Sequence, residues 1–69
     1  MNEIEKLRVL LPHWIEHNGE HAEEFRNYGT RAGAVGERLL AAARFLEEAN
    51  AQLQAALDAL GGPLEHHHV

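Results

Sequence analysis

His13, His17 and His21 stand four residues apart, and each is followed three positions later by a glutamate: Glu16, Glu20 and Glu24. Neutral imidazole is a ligand for transition-metal ions, and a carboxylate can either join it or orient it. On an α-helix a step of four residues turns about 400°, so the histidines form one slowly drifting stripe. Two neighbours in the stripe can chelate one ion. The outer pair cannot: a rise of about 1.5 Å per residue separates His13 from His21 by about 12 Å, whereas ligands lie about 2 Å from a shared ion. The spacing therefore offers one site with a spare histidine, or ligands for more than one site.

In the sharpest reading His17 and His21 form the chelate and His13 is an accessory ligand. Glu20 and Glu24, one turn beyond, ligate directly or accept the second ring N–H and so fix the tautomer. With no cysteine in the chain the ligand set lacks thiolate. It suits Zn, Ni, Co or Cu(II), with Zn or Ni foremost, and is unattractive to Cu(I) and iron–sulfur clusters. The competing reading is a solvated stripe of His and Glu pairs, with His21 a hydrogen-bonded core residue.

Other chemistries find little support. Serine and cysteine are absent, and Thr30, the only aliphatic hydroxyl, stands where a helix cap is wanted, which leaves no candidate nucleophile. Gly33 and Gly36 lack the strand and lysine of a phosphate loop. A net charge of −5 and scattered basic residues argue against nucleic acid or an anionic membrane as partner. No apolar run reaches the roughly 20 residues of a membrane span. The opening Met-Asn-Glu-Ile-Glu-Lys lacks the basic-then-apolar order of a signal peptide, so the expected location is the cytoplasm. Nothing here requires an enzyme.

Two periodic segments must position the histidines. Ile4, Leu7, Leu11, Trp14, Asn18, His21, Phe25 and Tyr28 alternate spacings of three and four, predicting a helix over about 3–28 with those residues in its seam. Trp14, Phe25 and Tyr28 are expected in the core, and Asn18 and His21 are the polar exceptions. Val35, Leu39, Ala42, Leu46, Ala49, Leu53, Ala56 and Leu60 repeat the same rhythm and predict a second helix over about 31–60. Pro12 predicts a kink, Asn18-Gly19 is a turn-favouring pair, Gly29 suits a left-handed helix end, Thr30 suits the start of the second helix, and Gly61-Gly62-Pro63 stops it.

The fold expected is all-α: an antiparallel hairpin over 1–62, its first helix kinked at Pro12, followed by a tail over 63–69. Pairing about the turn places Asn18 opposite Ala42, His21 opposite Leu39 and Trp14 opposite Leu46. A 69-residue chain without disulfides builds only a small core and needs a staple or a partner. The apolar face of the second helix is wider than one neighbour covers. The expected assembly is thus a two-fold dimer forming a four-helix bundle. The tail Leu64-Glu65-His66-His67-His68-Val69 resembles an expression-vector polyhistidine remnant, although the final valine does not fit one.

Three resemblances attach to these residues. His17-Asn18-Gly19-Glu20-His21 is similar to the HxxEH pattern of inverzincin metallopeptidases, which would imply zinc on His17 and His21 with Glu20 as base. Those enzymes are far larger and take a third ligand from elsewhere. The hairpin resembles the ferritin-like di-iron bundles, which would imply an oxidase, but that family uses Glu-x-x-His and the order here is reversed. Leu11-Pro12-His13-Trp14-Ile15-Glu16-His17-Asn18 with Glu20-His21 resembles a small group of uncharacterised prokaryotic helical-hairpin proteins, which implies the hairpin and names no activity. The function expected is transition-metal binding in storage, delivery, sensing or metal-held dimerisation, with a metal-handling protein as a further partner. The alternative is a structural or interaction module with incidental or pH-responsive histidines.

Overall fold

The structure is a computed structural model and describes residues 1–64. Helix α1 runs from Glu3 to Gly29, a single 3-10 turn spans Gly33–Val35, and helix α2 runs from Gly36 to Ala59. The two helices pack antiparallel as a hairpin. Asn2 starts α1 with a capping box: its side chain accepts from the Glu5 N–H at 2.8 Å, and its own N–H donates to the Glu5 carboxylate at 3.2 Å. α1 continues without a break through Pro12 and through Asn18-Gly19, so the local turn preference loses to the packing of a long helix.

The connection differs from expectation. Gly29 is helical, and the left-handed residue of the turn is Gly33, at φ 63°. Thr30 closes α1 instead of opening α2, its hydroxyl donating to the Asn27 carbonyl at 2.9 Å. α2 consequently begins at Gly36 and not near residue 31. At its far end Gly61 and Gly62, at φ 98° and 87°, form a Schellman motif, with the Gly62 N–H on the Leu57 carbonyl and the Gly61 N–H on that of Asp58.

That later start slides the register. Asn18 lies opposite Asn50, not Ala42, and its amide donates to the Asn50 side-chain oxygen at 3.0 Å. Asn50 in turn donates to the Ile15 carbonyl at 2.9 Å. The seam is also rotated. On α1 the residues against α2 include Leu11, Ile15, Asn18, Ala22, Phe25 and Gly29, while Trp14, His21 and Tyr28 of the expected seam are exposed. On α2 Leu39, Leu46, Leu53 and Leu60 keep their half-buried places, but Gly36, Ala43, Asn50 and Leu57 replace Val35, Ala42, Ala49 and Ala56 as the inward set.

The cause is closeness of approach. Ala22 and Ala43 are only 2% and 0% exposed. At the turn a Cβ on Gly36 would collide with the Gly29 carbonyl, and a Cβ on Gly29 would come within 2.8 Å of the Leu40 side chain. Small residues win the contact line because they let the two backbones meet, and the large side chains flank it.

The result is a single layer, 14 Å in its thinnest dimension. Its fully buried apolar side chains are Leu11, Ala22, Ala43 and Leu57, all small or medium in size. Stable domains are usually at least two layers thick around their core. No helix among the described residues is long and apolar enough to cross a membrane.

Two pairs of substitutions test this frame. Gly36→Ala should cost at least about 2 kcal/mol because backbone must move, whereas Gly19→Ala, on an exposed helical position with only the Asn50 amide 4.0 Å away, should stabilise by about 0.5–1 kcal/mol. Asn50→Ala should cost about 1–2 kcal/mol by stranding the Asn18 amide, and replacing both asparagines by leucine should recover that loss. Urea unfolding monitored by circular dichroism measures all four variants. Equal effects of the two glycine changes would contradict the close-approach account.

Candidate metal centre

His13, His17, His21, Glu20 and Glu24 all project from α1 and are all exposed. The expectation that Asn18 and His21 share one polar patch in the seam is therefore corrected. Asn18 turns inward to Asn50, and His21 lies outside the helix–helix contact. A turn of about 100° per residue accounts for the split, since three residues along, His21 has swung about 60° from Asn18.

His21 is the most structured of the histidines. Its Nδ1 lies 3.3 Å from the Glu24 carboxylate. Its ring stacks on Phe25, with centroids 6.3 Å apart and planes 23° from parallel. A proton on Nδ1 donates to Glu24 and leaves the Nε2 lone pair pointing outward, the tautomer a metal ligand needs. Glu24 thus stands as orienting carboxylate, one of the two roles the spacing allowed it. Both side chains are more than half exposed, so the contact orients the ring and adds little stability.

His17 lies one turn before His21 on the same side of α1, and His13 one turn earlier still. Among the described residues no three His, Asp or Glu side chains are grouped so as to hold a metal ion. One chain therefore offers a pair of imidazoles at most, and further ligands would come from water or another molecule. His66, His67 and His68 of the tail lie outside the described residues.

The two sides of the hairpin differ sharply. Measured from the contact line at about 100° per residue, Trp14, His21 and Tyr28 of α1 and Ala42, Ala49 and Ala56 of α2 lie about 60–130° round in the same rotational sense. In an antiparallel pair the same sense means the same side of the layer. Trp14 is 43% exposed and Tyr28 61%, which corrects the expectation that both lie in the core. The opposite side carries charge, including the Arg26–Glu47 ion pair between the helices. The histidine stripe thus drifts from the outer edge of α1 at His13 onto the apolar side at His21.

His13 keeps different company. It borders a shallow groove with Arg8, Val9, Pro12, Glu16, Pro63 and Leu64. Pro12 has no N–H for the Arg8 carbonyl four residues back, and that carbonyl instead accepts from the Leu64 N–H at 3.4 Å. The Arg8 side chain completes the clamp, donating from Nε to the Gly62 carbonyl at 2.7 Å and from Nη2 to that of Pro63 at 3.3 Å. Arg8 and Asn50 escaped the sequence reading. The signal for Arg8 was available, since a proline inside a helix always frees the carbonyl four positions earlier. For Asn50 there was none once the register was misplaced.

Comparison with known proteins gives a consistent but uninformative picture of activity. Over 62 residues the chain is 34% identical to an "Uncharacterized protein" of Archaeoglobus fulgidus, covering 84% of this chain and 100% of that one. No solved structure matches it. Residues 7–60, which include the histidine stripe and nearly all of both helices, match the family described as "Domain of unknown function (DUF8180)", and the chain belongs to that family.

Proposed function

We propose that this protein is a self-associating helical hairpin of the cytoplasm that binds a transition-metal ion, Zn or Ni foremost, through His17 and His21. The observation that carries the reading is the Glu24 carboxylate 3.3 Å from His21 Nδ1, which leaves Nε2 free to ligate. His17 supplies the second imidazole from the preceding turn, Glu20 and Glu24 stand within reach as carboxylates, and His13 is accessory. The remaining ligands come from a second copy of the chain or from water, because one chain groups no three suitable side chains among the described residues. A surface site of this kind serves storage, delivery, sensing or metal-held assembly, with hand-over to a metal-handling protein. The exposed apolar side favours association over a solitary role, and on that ground an interaction module without metal is the second reading.

Calorimetric titration with Zn and Ni salts decides between them. The protein to use is a full-length chain in which His66, His67 and His68 are alanine, so that the tail cannot report. Stoichiometric binding is expected, lost in His17→Ala and in His21→Ala and retained in His13→Ala. Glu24→Gln should weaken binding about 10–100-fold, the usual effect of removing an orienting carboxylate. Equal binding by the parent and by the His17→Ala/His21→Ala double variant would reject the metal reading and leave the interaction module.

A further inference from the structure

The apolar side of the hairpin carries two stripes with the same repeat. Trp14, His21 and Tyr28 are large and seven residues apart on α1, and Ala42, Ala49 and Ala56 are small and seven residues apart on α2. Asn18 and Asn50 share a level, so each step along α1 is matched by a step back along α2. Trp14 is then level with position 54, His21 with position 47 and Tyr28 with position 40. Each large residue therefore lies two positions, about 3 Å along the axis, from one alanine of the opposite stripe: Trp14 from Ala56, His21 from Ala49, and Tyr28 from Ala42.

We propose that a second copy of this chain covers this side, related by a two-fold axis parallel to the helices, so that each α1 lies over the partner's α2 with both turns at one end. Rotation about such an axis leaves every level unchanged. Trp14, His21 and Tyr28 of each chain accordingly settle against Ala56, Ala49 and Ala42 of the other without any slip in register. Large residues meet small ones on both sides of the axis, so the two layers close evenly and complete the four-helix bundle. The occupant is a second copy because the face complements itself in both size and register, and because the single 14 Å layer lacks a core of its own.

The alternative two-fold, perpendicular to the helices, stacks α1 on α1 and α2 on α2. It sets Trp14 and Tyr28 against other large residues while alanine meets alanine, and the layers splay into a wedge. In the axial arrangement the two His21 residues also share one level on either side of the axis, with the small Ala49 of each chain leaving room beside them. That last consequence rests on the metal-binding reading; the docking geometry does not.

Cross-linking in chelator tests the geometry apart from the metal, on a chain whose lack of cysteine makes every thiol a reporter. Tyr28→Cys protein mixed with Ala42→Cys protein should give the mixed disulfide dimer on mild oxidation. Tyr28→Cys mixed with Ile4→Cys should not, because the axial arrangement holds those positions at opposite ends of the bundle; Tyr28 and Ile4 are both half or more exposed, so the substitutions spare the hairpin. In parallel, Ala49→Glu should raise the dimer dissociation constant on the order of 100-fold by burying a carboxylate, while Ala55→Glu, exposed on the charged side of the same helix, should leave it within about threefold. A Tyr28–Ile4 cross-link, no mixed cross-link at all, or equal effects of the two glutamates overturns the arrangement while leaving metal binding by His17 and His21 standing. Sedimentation as a monomer at high micromolar concentration overturns both the arrangement and the self-association.

Discussion

The meeting of two backbones at the turn constrains everything else in this molecule. Where Gly29 passes Gly36 there is no room for a Cβ on Gly36, so the helices are brought close at one end, and Ala22 and Ala43 hold them close along the layer. A contact line made of small residues cannot at the same time bury the large ones. Trp14 and Tyr28 are displaced to the flank, joined there by His21 and by the alanine stripe of α2. The interior of the hairpin and the exposed apolar side are therefore two consequences of one geometric choice.

The polar residues divide along the same line. Asn18 and Asn50 satisfy each other and the Ile15 carbonyl across the seam, a pairing that ties one level of α1 to one level of α2. A hydrogen-bonded amide pair is a weak source of stability but a strong source of register, since a slip by one residue strands both groups. His21, only three residues from Asn18, is excluded from that network and meets Glu24 and Phe25 on its own helix. It is left with one ring nitrogen engaged and one free.

The two helices were readable from the alternating three-and-four spacing, and so were the stop at Gly61-Gly62-Pro63 and the exposure of a histidine stripe along α1. The phase of the seam was not. Periodicity in large apolar residues finds the direction in which a helix buries most area, and in a hairpin that direction lies between the neighbour in the same layer and the uncovered side. Leu11, Phe25, Leu39, Leu46, Leu53 and Leu60 lie near that bisector and were placed correctly; Trp14 and Tyr28 lie beyond it, while Ala22, Gly29 and Ala43 attract no notice in a search for bulk. The register was misread because Gly33–Val35 forms a 3-10 turn, which delays α2 to Gly36 and exchanges Ala42 for Asn50 opposite Asn18. The clamp of Arg8 on Gly62 and Pro63 joins residues 54 and 55 positions apart, and only the carbonyl freed by Pro12 hints at it.

A layer this thin, with its largest aromatic residues half exposed, holds its helices most firmly when a second layer covers it. That dependence is the central claim, and the concentration dependence of thermal unfolding addresses it most directly. Circular dichroism melts in chelator over about a hundredfold range of chain concentration should show Tm rising steadily with concentration, as mass action requires when folding and association are coupled. A Tm that stays constant across that range would mean that the single hairpin is stable alone, and would contradict the account.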